Sequence, residues 1–154
     1  MNKKCIMIAC AFFVAVALQA KVSLPAFFSD GMVMQQQSQA SLWGKASKGK
    51  IVEVTTGWDG QTYTTRADEQ GKWKLTVQTP AAGGPYDITF DDGERTRIKD
   101  ILMGELWICS GQSNMEMPMK GFKNQPVEDA NMDVLRSRNS QIRLFTVKRN
   151  SQFA

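Results

Sequence analysis

The sequence predicts two regions of different fold class in one chain: a β-sandwich from about residue 21 to 99, and the opening of an α/β domain with a parallel sheet from residue 100 to 154. Three observations predict this. Apolar and polar residues alternate along several short runs between Val22 and Ile98, and a period of two marks strands with one buried face. Turn pairs such as Asp59-Gly60 and Asp92-Gly93 separate those runs. Beyond Asp100 the alternation gives way to continuous apolar runs and a helix-like segment, the pattern of strands buried on both faces.

Taken in chain order, residues 1–20 read as a signal peptide. Lys3 and Lys4 form a basic start, the run from Cys5 to Leu18 is apolar, and Ala15-Val16-Ala17 and Ala20 offer cleavage after Ala17 or after Ala20. The run falls short of the ~20 residues a membrane span requires. Export is therefore expected, to the periplasm or the exterior, with no membrane span left after cleavage. Removing Lys3 and Lys4 from 19 basic residues leaves 17 against 15 acidic ones, a net charge of +2. Such a balance, with no clustered Lys and Arg, argues against a nucleic-acid partner. Cleavage also leaves Cys109 as the single cysteine, which cannot form an internal disulfide. Its place in an apolar run predicts a buried, inert thiol, and without histidine any zinc site would need carboxylates.

The clearest strand is Lys72–Gln78, where Trp73, Leu75 and Val77 face one way and Lys72, Lys74, Thr76 and Gln78 the other. Tyr86, Ile88 and Phe90 repeat the alternation, as do Val52, Val54 and Thr56. Asp59-Gly60 predicts a hairpin joining Ile51–Trp58 to Thr62–Arg66, and Asp92-Gly93 predicts another. Short half-polar strands at this spacing make a small antiparallel sandwich, immunoglobulin-like or jelly-roll-like in form. Trp43, Trp58 and Trp73 are read as core residues ahead of sugar-stacking ones.

After Asp100, Ile101-Leu102-Met103 and Leu106–Cys109 predict a doubly buried strand. A helix follows: Pro126 suits its first position, Glu128 and Asp129 its positive end, Val127, Ala130, Val134 and Leu135 one side, and Arg136 and Arg138 its close. Ile142–Val147 predicts a second strand, parallel to the first across the helix. Two parallel strands and one helix cannot cover a sheet, so this region reads as the truncated start of a larger domain.

Between strand and helix stands Gly111-Gln112-Ser113-Asn114. Ser113 falls just past the carboxyl end of the first predicted strand, where open α/β sheets gather ligands. Gly111 allows a sharp turn, and a backbone N–H of Ser113 or Asn114 is placed to donate to a developing oxyanion. A serine nucleophile needs a base, nearly always histidine, and the chain has none. By itself Gly-x-Ser marks a turn serine more often than a nucleophile. Glu105 and Glu116 flank the block, and a carboxylate pair is the equipment of glycoside hydrolysis. The plainer reading puts Glu105 on the solvent side and Glu116 near a helix start.

The run Gly104-Glu105-Leu106-Trp107-Ile108-Cys109-Ser110-Gly111-Gln112-Ser113-Asn114-Met115-Glu116 closely resembles the nucleophile block of the sialate O-acetylesterase family, a branch of the SGNH hydrolases. Leu24 to Gln36 resembles that family's first β segment, and Ala82-Gly83-Gly84-Pro85-Tyr86 a later one. The resemblance implies an SGNH-type α/β domain after the β-sandwich, and an esterase that removes acetyl groups from O-acetylated sugars without a cofactor. It implies Ser113 as nucleophile, with the Ser113 N–H in the oxyanion site. The family's base and orienting acid lie in an Asp-x-x-His segment that nothing here matches, and its other oxyanion partners are likewise unmatched. The expectation is thus the amino-terminal part of an exported acetylesterase, inactive alone. The rival is a secreted β-sandwich module that binds sugars or partners without catalysis.

Overall fold

The computed structural model describes residues 21–147, so the expected signal peptide lies outside the described residues. The described residues form a mostly-sheet fold with one short helix. Seven strands run in order: β1 (Val33–Gln35), β2 (Gln39–Lys45), β3 (Ile51–Thr56), β4 (Thr62–Arg66), β5 (Lys72–Gln78), β6 (Gly83–Asp91) and β7 (Arg95–Gly104). A 3₁₀ turn at Ser113–Glu116 and a helix, α1 (Ala130–Arg136), follow. The strands make a five-stranded sheet in the order β1-β7-β6-β3-β4 and a two-stranded sheet of β2 and β5. Leu42, Trp73 and Val77 of the small sheet share one core with Val52, Val54, Ile88, Phe90, Ile98 and Ile101 of the large one. Apolar faces that alternation assigns to one side thus meet each other and leave water.

The turns follow from side-chain chemistry. Asp59 closes the β3–β4 connection, its carboxylate accepting from the Thr56 hydroxyl and from the Gln61 N–H at 3.0 Å. Asp68 accepts from the N–H groups of Gln70 (2.9 Å) and Lys72 (2.8 Å) before β5. Gly71 has φ +73°, and an added Cβ there would meet the Ala46 carbonyl oxygen at 2.5 Å. Only glycine fits both demands. Asp91 accepts from the Gly93 N–H at 2.8 Å and from Arg95 Nε at 2.9 Å. These two donors, the backbone one first, hold the Asp91 carboxyl below the usual carboxylate range.

Several expectations are corrected. The large sheet is mixed, because β1 runs parallel to β7, with Val33 opposite Leu102 and Met34 opposite Met103. Ile101-Leu102-Met103 belongs to the end of β7, between β6 and β1, and does not open a new sheet. Its broken alternation has a local cause. From the pair Ile88–Ile98 to the pair Tyr86–Ile101, β7 advances three residues while β6 advances two, so β7 carries an extra residue, a β-bulge. Ile98 and Ile101 therefore both point inward.

Beyond Gly104 the expected strands are absent. Leu106–Cys109 and Ile142–Val147 form no strand, and Cys109 is exposed, not buried. The helix spans Ala130–Arg136 only, without Pro126, and Ala130 is its one buried residue. Val134 and Leu135, expected on an inward face, are exposed. An apolar run becomes a buried strand only where neighbours cover its edges and faces, and the described residues bring no such cover here. Trp73 is core as expected, whereas Trp43 is exposed and packs on Phe27 and Phe28. Among the described residues, no helix is long and apolar enough to cross a membrane.

Candidate active site

The segment that carries Ser113 leaves the β unit through a tight anchor. The Gly104 carbonyl accepts from the Gln36 N–H at 2.9 Å. Glu105 then turns back: its carboxylate accepts from Gln36 Nε2 at 2.7 Å and Gln35 Nε2 at 3.1 Å. Each amide is used at both ends, because Gln35 Oε1 accepts from the Leu106 N–H at 2.9 Å and Gln36 Oε1 from the Ala82 N–H at 2.8 Å. The two amide donors, Gln36 before Gln35, hold the Glu105 carboxyl below its ordinary value. Glu105 is therefore more than a solvent-facing residue. It ties the exit from β7 to the end of β1 and the residue that follows it, and that role was invisible in sequence because 69 and 70 residues separate the partners.

From Leu106 the chain runs exposed to Ser113, with Trp107 at 81% and Ile108 at 90% of full exposure. Ser113 heads the 3₁₀ turn, which buries none of its residues. The Gln112 carbonyl accepts from the Met115 N–H at 3.0 Å and shapes the turn. Gly111 does not supply the left-handed backbone that a sharp glycine turn would use, since it is not among the residues with positive φ. An added Cβ would meet Met115 Cγ at 2.7 Å, so the exposed Met115 side chain would have to shift. The first N–H groups of such a turn lack partners within it.

The chain holds no histidine to serve the Ser113 hydroxyl as base. Lys120, the nearest lysine in sequence, is exposed. No group of three or more His, Cys, Asp or Glu side chains gathers to hold a metal among the described residues. The arrangement presents a serine on an open turn, with an anchored approach.

No family model matches the chain, but individual proteins do. Sialate O-acetylesterase of Mus musculus is 28% identical over 131 residues, which is 79% of this chain and 24% of the relative. Sialate O-acetylesterase of Homo sapiens is 30% identical over 115 residues, 68% of this chain and 22% of the relative. The solved structure of a carbohydrate acetylesterase from Xanthomonas citri superposes with a TM-score of 0.70 at 32% identity, covering 79% of this chain and 26% of that one. A match over 79% of 154 residues is more than residues 1–104 supply, so the similarity reaches past β7 into the segment of Ser113. The chain spans about a quarter of the length of the curated relatives it matches. Over that quarter the chain is sialate O-acetylesterase-like, in sequence and, beside the Xanthomonas citri enzyme, in fold.

Proposed function

We propose that this chain is the nucleophile-bearing part of an exported carbohydrate O-acetylesterase. In this reading residues 21–104, through the end of β7, form a β-sandwich unit and the residues after Gly104 begin an SGNH-type α/β hydrolase domain. The Ser113 Oγ attacks the acetyl carbonyl of an O-acetylated sugar, the Ser113 N–H donates to the oxyanion, and the sugar alcohol departs with a proton. Water then releases acetate from the acyl-enzyme. The base must come from outside these 154 residues, which hold no histidine. The observation that carries the reading is the acetylesterase similarity that continues past Gly104 into the segment where Ser113 stands exposed.

The test compares two chains. In a protein extended to the length of the relatives, Ser113→Ala is expected to abolish acetate release and covalent labelling by a serine-directed phosphonate. Labelling that persists at another serine identifies a different nucleophile and sinks the reading. The 154-residue chain alone is expected to show only background turnover of an aryl acetate, since losing the base costs a serine hydrolase about 10⁶ in turnover, roughly 8 kcal/mol of barrier. Turnover lost on Ser113→Ala would reveal a base within these residues. For export, the mature amino terminus is expected at Leu18 or Lys21, as read by terminal sequencing of secreted protein. An intact Met1 there would refute it.

A further inference from the structure

The β7 bulge is built around Asp100, whose φ of +57° is one that few residues other than glycine, asparagine and aspartate adopt. Such strain persists where surrounding structure holds it and often marks a functional contact. Here three backbone groups of the bulge meet distant segments. The Lys99 N–H donates to Asp30 Oδ1 at 2.8 Å, and the Lys99 carbonyl accepts from the Gly31 N–H at 3.0 Å. The Asp100 carbonyl accepts from Arg143 Nη1, and Asp100 Oδ1 accepts from Arg143 Nη2 at 3.0 Å.

Arg143 inverts the usual pattern of burial. Between residues 131 and 147 it is the one residue of intermediate burial, the others being exposed, and its neighbours Ile142 and Leu144 stand in water. Its guanidinium rests on Gly31, where an added Cβ would lie 3.4 Å from Nη1. Two residues on, the Phe145 ring meets Phe27 edge-on at 6.4 Å, and Phe27 belongs to a cluster with Phe28 and Trp43. Phe27, Gly31, Gln35 and Gln36 all lie in one short stretch, which therefore grips the chain twice: at Glu105 where it leaves and at Arg143 and Phe145 where it returns.

We propose that residues 27–36, with the Asp100 bulge, form an intramolecular docking seat whose occupant is the segment Ile142–Phe145 of this same chain, keyed by Arg143. The seat fixes both ends of the stretch that contains Ser113, and so limits where the turn can lie. Arginine suits the key position because its planar fork reaches the carbonyl and the carboxylate together, which lysine cannot do. Aspartate suits position 100 because it tolerates the left-handed backbone and adds an acceptor that glycine lacks. The inference goes beyond the esterase reading and stands without it, since it concerns how the chain is held.

The test is NMR on the isotopically labelled 154-residue chain. Backbone ¹⁵N relaxation is expected to show residues 142–145 as ordered as the strands, with cross-peaks between the Phe145 and Phe27 rings. Arg143→Met is expected to abolish those cross-peaks and bring the segment to free-chain mobility, while β3 and β6 amides keep their shifts. Arg143→Lys and Asp100→Gly are each expected to lose part of the order. Combining Asp100→Gly with Arg143→Met is expected to add nothing beyond Arg143→Met. A wild-type segment as mobile as a free chain, or an Arg143→Met spectrum with its cross-peaks intact, overturns the proposal. Neither outcome depends on ester hydrolysis, so this test and that of the esterase reading fail separately.

Discussion

Residues 21–104 and 105–147 use large apolar side chains in opposite ways. Of the fourteen buried hydrophobic residues among those described, thirteen lie before Gly104 and the other is Ala130. Of the sixteen exposed large hydrophobics, thirteen lie after it. The first region closes on itself because alternating strands of two sheets present complementary faces within the same stretch of chain. The second has continuous apolar runs, which need layers on both sides, and a seven-residue helix too short to hold by itself. The second region is tied to the first by polar anchors at Glu105 and Arg143 and by a ring contact at Phe145. Apolar content alone therefore does not make a core; the pattern must also find its partner.

The largest expected break in this comparison comes from matched truncations. Phe90 is fully buried and Leu144 is 94% exposed. Phe90→Ala is expected to cost about 3–5 kcal/mol, much of the ~5–15 kcal/mol that holds a typical domain. Leu144→Ala should stay within about 0.5 kcal/mol. Urea unfolding followed by circular dichroism measures both, and equal costs would abolish the distinction between the regions.

A smaller effect sharpens why the first region closes. Gly71 and Gly60 share a positive φ, +73° and +69°, but only Gly71 has a carbonyl where a Cβ would go; Gly60 has open space. Gly60→Ala should cost about 1–2 kcal/mol from the left-handed backbone alone. Gly71→Ala should cost more, by about 1–3 kcal/mol, because the turn against Ala46 must also open. Thermal unfolding of the two variants in parallel checks the order, and a Gly60→Ala cost equal to or above that of Gly71→Ala would refute it.

The smallest effect concerns the anchor between the regions. The folded pKa of Glu105 is lowered by Gln36 and Gln35, so its contribution is complete above the ordinary carboxylate range. It is lost as pH falls through the lowered folded value. Amide exchange at Leu106, whose N–H is held by Gln35, should therefore gain an acid-side loss of protection beyond the intrinsic pH dependence of exchange. Glu105→Gln should remove that extra loss. A Leu106 amide whose protection ignores pH in both proteins would show that the carboxylate does not hold the exit.

Much of the first region was legible because its signals are local. Lys72–Gln78 forms β5 at the residues its alternation marks, and the β3–β4 and β6–β7 connections fall at Asp59-Gly60 and Asp92-Gly93. Both rest on periodicity and turn chemistry within a few residues. The parallel pairing of β1 with β7 was not legible, since Val33 and Leu102 meet only through the tertiary fold. The strand at Ile101 was assigned to a second unit because one bulge residue, Asp100, shifts the alternation, and a shift by one residue looks from sequence like a change of pattern.

The sequence by itself determined the β character of residues 21–99 and the turn around Ser113, while its resemblance to sialate O-acetylesterases supplied the proposal that this turn holds a nucleophile. Only the tertiary structure decided which apolar runs are covered, that Glu105 is gripped by two glutamines, and that Arg143 lies against a strained aspartate 43 residues away in sequence. The physical reason is range. Alternation and turn propensity are set by covalent neighbours, whereas burial and side-chain hydrogen bonds depend on which distant segment the folded chain brings alongside.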